Sequence, residues 1–287
     1  MTDVVVASPT LPDRSVRRFV AGAPTIVLTG TLLLVVLAVT VPGIFTDVSP
    51  TAVDPSAALA APSGAHWFGT DQLGRDVFTR VLHGARGSLL LGFGTVVLAV
   101  WIGSALGLAA ALGGRLVDLV FTRVMAVMIA IPPLLLALLV IAVLGPGSGR
   151  TMIAMVAALT PLYGRLVRAE AMVARRSGYV EAARALGVGR TAVVVRHVLP
   201  NVLGPTLALA TVEVGSAIVY VAGLSFLGLG PRPPSPQWGL MLAEGRDYLR
   251  SAWWVGVCPG AVLALTVLAF QAAARRAQER LARRGAG

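Results

Sequence analysis

The stretch Gly87–Gly114, GSLLLGFGTVVLAVWIGSALGLAAALGG, holds no charged residue between Arg86 and Arg115. A bilayer core about 30 Å thick is crossed by about 20 helical residues, so this run is long enough to span a membrane. Working outward, the chain repeats the pattern. Uncharged runs also lie between Arg18 and Asp47, between Arg123 and Arg150, and between Arg250 and Arg275. A fifth run starts at Thr151 and meets Arg165; it spans if Arg165 and Arg168 snorkel their guanidinium groups to the interface. A sixth, Val202–Leu224, is interrupted only by Glu213. In lipid only helices and closed barrels satisfy the backbone, and these runs are too long and too evenly apolar for barrel strands. The expected fold is an all-α membrane protein with about six transmembrane helices.

Composition agrees. Of 287 residues, 56% are hydrophobic and 13% charged, with a mean hydropathy of +0.81; soluble domains carry about 25% charged residues. The net charge is +11 and all of its cations are arginine. Those arginines sit in short segments between apolar runs, where the positive-inside bias accounts for them and nucleic-acid binding does not. With the N-terminus cytoplasmic, 17 of the 24 arginines fall in inside segments, so both termini are expected on the cytoplasmic side. The first apolar run is expected to stay as a span: it is too long for a signal-peptide core, and Asp47, Pro50, Asp54 and Pro55 part it from the Ala58-Leu59-Ala60 site.

The same residues limit the chemistry. A phosphate-binding loop needs a lysine, and the sequence has none. One cysteine, Cys258, allows neither an internal disulfide nor a cysteine metal site. His66, His83 and His197 form no metal-ligand spacing, and none lies within a span to serve as a catalytic base. No metal or cofactor is expected on this chain.

Three parts follow: residues 1–64, with a cytoplasmic N-terminus, the first span and external loop; 65–275, a core containing a cytoplasmic loop at about 165–201; and 276–287, a tail. Two external segments are unusual. In the first, Leu73, Val77, Val81, Leu82 and Ala85 share a face against Arg75, Asp76, Arg80 and His83, which suits a helix lying in the membrane interface. The second, Ser225–Arg250, is broken by Pro231, Pro233, Pro234 and Pro236. Trp238, Trp253 and Trp254 then read either as interfacial anchors or as packing residues. Within the spans, Gly103 and Gly107 permit close helix approach. Pro132-Pro133 must break or kink the third span, either as a gate element or as a simple bend. Glu213 either lines a polar pathway or sits protonated against a neighbouring helix.

The loop from Arg165 to Asn201 is too charged to span and too patterned for a linker. Tyr179, Val180, Ala182, Ala183, Ala185 and Leu186 surround Glu181 and Arg184 as a short amphipathic helix. Gly187 ends it, glycine being suited to the left-handed residue after a helix. A second helix over Arg190–Val198 should stop before Pro200. A helix–Gly–helix element in a cytoplasmic loop looks like a docking element for a soluble partner.

Glu181-Ala182-Ala183, Gly187 and Leu199-Pro200 resemble the EAA motif of bacterial ABC-importer permeases, with His197 departing from the apolar residue usual there. The string Arg196–Asn201, RHVLPN, is similar to the peptide/nickel branch. So are Phe68–Val77, FGTDQLGRDV, continued by Arg80, Gly84, Arg86 and Ser88-Leu89, and Leu224–Gly230, LSFLGLG, followed by Pro236-Gln237-Trp238-Gly239. The likeness covers about Ala65 to Gln271 and points to the second, or "C", permease of a dipeptide/oligopeptide/nickel importer. Relatives often carry an acid just before the LSFLG string; here Val219–Gly223 stands there, and the nearest acid is Glu213.

The resemblance implies a type I ABC-importer permease fold in the bacterial inner membrane. This chain and a second homologous permease would form the pathway. Two ATPase subunits or domains, using ATP and magnesium, would grip the loops, and an external substrate-binding protein would deliver cargo. Coupling would fall to Tyr179, Glu181, Ala182, Ala183, Arg184, Gly187, Leu199 and Pro200. Glu213, Pro132 and Pro133 are expected along the pathway, and Asp71, Arg75, Asp76, Arg80 and Trp238 against the binding protein. Cargo would be di- or oligopeptides, with nickel or a metal chelate as the alternative. A channel or scaffold without ATPase coupling is a reading of a different class, which the docking loop disfavours.

Overall fold

The computed structural model describes residues 41–285 together with Gly30, Leu37 and Thr40. Most of the first apolar run, and therefore the first expected span, lies outside the described residues. The described chain is helical, with one isolated antiparallel bridge between Thr70 and Asp76. Nine α-helices occur in it: α1 Val77–Leu112, α2 Arg115–Ala130, α3 Pro133–Leu144, α4 Ser148–Arg175, α5 Gly178–Ala185, α6 Arg190–Val193, α7 Leu199–Phe226, α8 Trp238–Gly245 and α9 Trp254–Gly285.

Four helices are long and apolar enough to cross a membrane: α1, α4, the segment Thr191–Phe226 that contains α7, and Trp254–Arg276 of α9. The pair α2 and α3 makes a fifth crossing element, bent by 98°. The sequence reading expected a span over 124–149 with a break at the prolines, and the break is sharp. Ile131, preceding Pro132, is pushed into extended backbone at φ −94°, ψ 127°, as the proline ring requires. Pro133 then opens α3, where a missing N–H costs nothing.

The bundle packs around α4. Gly103 and Gly107 of α1 lie directly on it: a Cβ on Gly107 would stand 2.5 Å from the Gly164 carbonyl oxygen, and one on Gly103 2.7 Å from the Tyr163 Cβ. The main core joins Val96 and Ala99 of α1, Leu136 and Ile141 of α3, Met155 and Leu159 of α4, and Ile218 and Val221 of α7. Large apolar residues such as Trp101, Leu116, Val127 and Val143 point outward, as lipid or a second chain requires.

Two local expectations are corrected, and one open choice, that of the tryptophans, is decided. Leu73–Ala85 is not a separate interfacial helix. Asp76 caps α1 by accepting the Thr79 N–H at 2.8 Å, and the residues from Val77 on are the first turns of a 36-residue helix. Apolar Val77 and Val81 and charged Arg80 are all buried there, because Glu244 arrives from α8 to pair the arginine. The helix over Arg190–Val198 does not stop before Pro200. A π turn, Val194–Val198, carries it into α7, with the Leu199 N–H donating to Val194 O. Pro200 enters at the first turn of α7; the wider turn clears room for its ring where an α-turn would clash. Finally, Trp238 and Trp254 are buried packing residues, while Trp253 remains exposed.

Candidate functional site

At the end of the bundle where α4 finishes and α7 begins, the chain builds a small platform. Arg175, in the last turn of α4, donates to Ala111 O at the end of α1, tying the two helix ends together. Arg168 makes a two-point ion pair with Asp118 of α2, its Nη2 2.7 Å from Oδ2. Ser177 then turns the chain, its carbonyl accepting the Val180 and Glu181 N–H groups, and α5 follows.

α5 has two faces. Val180 and Ala183 are buried against the platform. Glu181, Ala182, Ala185 and Leu186 face outward, and Leu186 is 85% exposed. A leucine that open beside two alanines and a carboxylate is an unsatisfied apolar patch with a charged rim. Gly187 closes the helix at φ +83°, and the Val188 N–H donates to Ala183 O at 3.1 Å, the 6→1 bond of a Schellman closure. A side chain at Gly187 would meet open space, so the glycine answers to backbone conformation alone. The helix backbone includes Arg184, whose side chain lies outside the described residues. Beside Glu181 a cavity of about 440 Å³ is lined by Arg115, Asp118, Met172, Arg175 and Arg176.

Leu199 and Pro200 do not belong to this outward face; they form the first turn of α7. Tyr179 connects the two places. Its hydroxyl accepts from Asn201 Nδ2 at 2.9 Å, and its ring lies 5.9 Å from the His197 imidazole at an interplanar angle of 55°. His197, the departure from the motif, thus has a partner that sequence spacing could not supply.

At the opposite end, the residues expected to meet a binding protein turn inward. Asp71 takes Arg75 Nε at 2.6 Å and Arg80 Nη1 at 3.0 Å on the same oxygen, Oδ2. Glu244 of α8 takes Arg80 Nη2 at 2.9 Å and Arg75 Nη2 at 3.4 Å. The four charges cancel. Asp71, Arg75 and Arg80 are each at most 2% exposed, so they hold the segment before α1 onto α8 instead of presenting a surface. Trp238 is fully buried, donating from Nε1 to Val81 O at 2.8 Å. Asp76 is occupied as the α1 cap, with His66 Nδ1 3.0 Å from its other oxygen. Glu244 escaped the sequence reading because it lies 164 residues from Arg80.

The pathway candidates lie on different helices. Glu213 is half-buried on α7. Pro132 and Pro133 make the α2–α3 elbow, and Leu134 and Leu138 just beyond it pack on the core that also contains Val214.

Residues 83–285 match the family described as the binding-protein-dependent transport system inner membrane component. The chain belongs to this family. It is a multi-pass permease, the membrane subunit of an ATP-driven importer, and members of the family work with ATPase subunits and a substrate-binding protein. The permease is 40% identical over 245 residues to a dipeptide transport system permease of Alkalihalophilus pseudofirmus, covering 85% of this chain and 79% of that one. It is 41% identical over 252 residues to a probable D,D-dipeptide transport system permease of Escherichia coli, covering 87% and 84%. A di/tripeptide permease of Pseudomonas aeruginosa is 43% identical, covering 75% and 71%. Among solved structures, the permease resembles the inward-facing MetNI methionine ABC transporter with a TM-score of 0.54 at 20% identity, over 69% of this chain and 94% of that one. That likeness supports the type I permease fold.

Proposed function

We propose that this permease imports di- or oligopeptides together with a second homologous permease, and that α5 is the element gripped by the ATPase. The peptide reading is supported by relatives at about 40% identity whose names specify dipeptides or di- and tripeptides. ATP and magnesium are used on the ATPase subunits, and this chain contributes the groove-filling surface. The α5 end is cytoplasmic and both termini lie on that side, in keeping with the arginine distribution. Core residues 65–275 carry transport and residues 276–287 form a tail. Glu213 and the Pro132–Pro133 elbow flank the pathway.

One observation carries the docking reading: the outward face of α5, with Leu186 85% exposed next to Glu181, Ala182 and Ala185. Small alanines let the helix enter a groove closely, and Glu181 offers a charge-assisted contact at its rim. The test is a reconstituted transporter assayed with a labelled dipeptide. Glu181→Lys and Gly187→Asp should leave the chain inserted and abolish uptake, with weakened ATPase association or uncoupled hydrolysis. Normal uptake with ATPases bound at wild-type affinity would refute the docking reading. Uptake of nickel in preference to the dipeptide by the unaltered transporter would refute the cargo.

A further inference from the structure

Docking at α5 moves a span only if α5 is fastened to one. The direct chain connection to α7 is soft. It runs through Gly187, at φ +83°, and Gly189, where a side chain would meet nothing within 4 Å. Glycines at two of three consecutive positions give the backbone many accessible conformations, so a push delivered through Gly187-Val188-Gly189 is absorbed there.

A side-chain bridge bypasses this linker. Asn201 Nδ2 donates to the Tyr179 hydroxyl at 2.9 Å and to His197 O at 2.6 Å. The Tyr179 ring rests against the His197 imidazole. His197 and Asn201 are one helical turn apart, at the junction where the π turn Val194–Val198 becomes α7. Pro200 has no N–H to give to Arg196 O, so the helix there lacks one rung of its own ladder. Tyr179 therefore attaches to a point where the backbone is already irregular, and π turns of this kind recur at functional positions.

We propose that Tyr179, His197 and Asn201 form a clasp that joins α5 to the base of α7 as one mechanical unit, so that displacement of α5 is delivered to the span. This rests on the docking reading above.

The test uses the complete transporter with spin labels at Gly178 of α5 and Leu207 of α7, both exposed, on a Cys258→Ser background. The distance between them is measured at rest and after trapping with a non-hydrolysable ATP analogue. With the clasp intact, the distance should be the same in both states. Tyr179→Phe, which keeps the ring and removes the hydroxyl, and Asn201→Ala should each let it change on trapping. Dipeptide transported per ATP should fall at least about fivefold, the low end of ordinary coupling free energies. The double variant should be no worse than either single one, since both remove the same bond. Three results would overturn the clasp: a distance that shifts in the unaltered protein as much as in the variants, variants that hold it fixed, or Tyr179→Phe releasing the ATPase, which would make Tyr179 a direct contact. Failure of the docking reading shows separately, as normal uptake with unchanged ATPase association in Glu181→Lys.

Discussion

The two ends of the bundle are held by opposite means. At the end where α1 begins, buried Asp71, Arg75 and Arg80 and part-buried Glu244 cancel one another, and Trp238 is fully buried and bonded to Val81 O of α1. At the end where α7 begins, the short helix α5 rests on two small buried side chains, one exposed hydrogen bond and a ring contact, with a leucine left in the open. Buried ion pairs are unforgiving because loss of one partner strands the others in a low-dielectric interior. A single exposed hydrogen bond adds only about 1 kcal/mol to stability. One end is thus built to stay as it is, and the other leaves an apolar face open, the face on which the proposed docking rests.

Breaking the first end should therefore produce the largest loss. Arg80→Ala leaves Asp71 and Glu244 with a single cation between them and is expected to cost about 3–5 kcal/mol, read as a lower yield of inserted protein and a lower heat-inactivation temperature in detergent. Arg80→Lys sharpens the point: it keeps the charge but cannot reach both carboxylates in the same fork, so it should fall between Ala and the unaltered chain. Gly84→Ala comes next. Its Cβ would stand 2.0 Å from the Pro236 carbonyl oxygen, and overpacking against backbone costs about 1–3 kcal/mol. The same heating assay checks it. Gly187→Ala, at the other end, carries only the left-handed backbone penalty of about 1–2 kcal/mol, most of it local to α5. Leu186→Ser should change stability by no more than about 0.5 kcal/mol while reducing ATPase co-purification. A large stability loss from Leu186→Ser would erase the contrast between the ends.

The sequence carried different parts of this picture unequally. The spans were legible because bilayer thickness fixes their length, and α5 because an amphipathic octet followed by Gly187 has local causes. The elbow at Pro132-Pro133 was legible as a break, since ring sterics act on the neighbouring residue, but the 98° angle depends on packing against α4. The quartet was not legible. Asp71, Arg75 and Arg80 form a polar stripe that looks solvent-facing until Glu244 and Trp238 arrive from far along the chain. Pro200 misled for a related reason: a proline ends an α-helix, yet a π turn ahead of it lets the helix pass. The clasp on His197 likewise needed two segments brought together by the fold.

The most direct measurement asks whether the outward face of α5 meets an ATPase. In a Cys258→Ser background, Ala182→Cys and Leu186→Cys would be paired with a cysteine scan of the ATPase subunit's groove. Trp67→Cys, at the other end and 64% exposed, would serve as the control. Disulfide cross-links are expected from Ala182→Cys and Leu186→Cys and not from Trp67→Cys. Cross-links absent from both α5 positions in a transporter that still imports dipeptide would contradict the account.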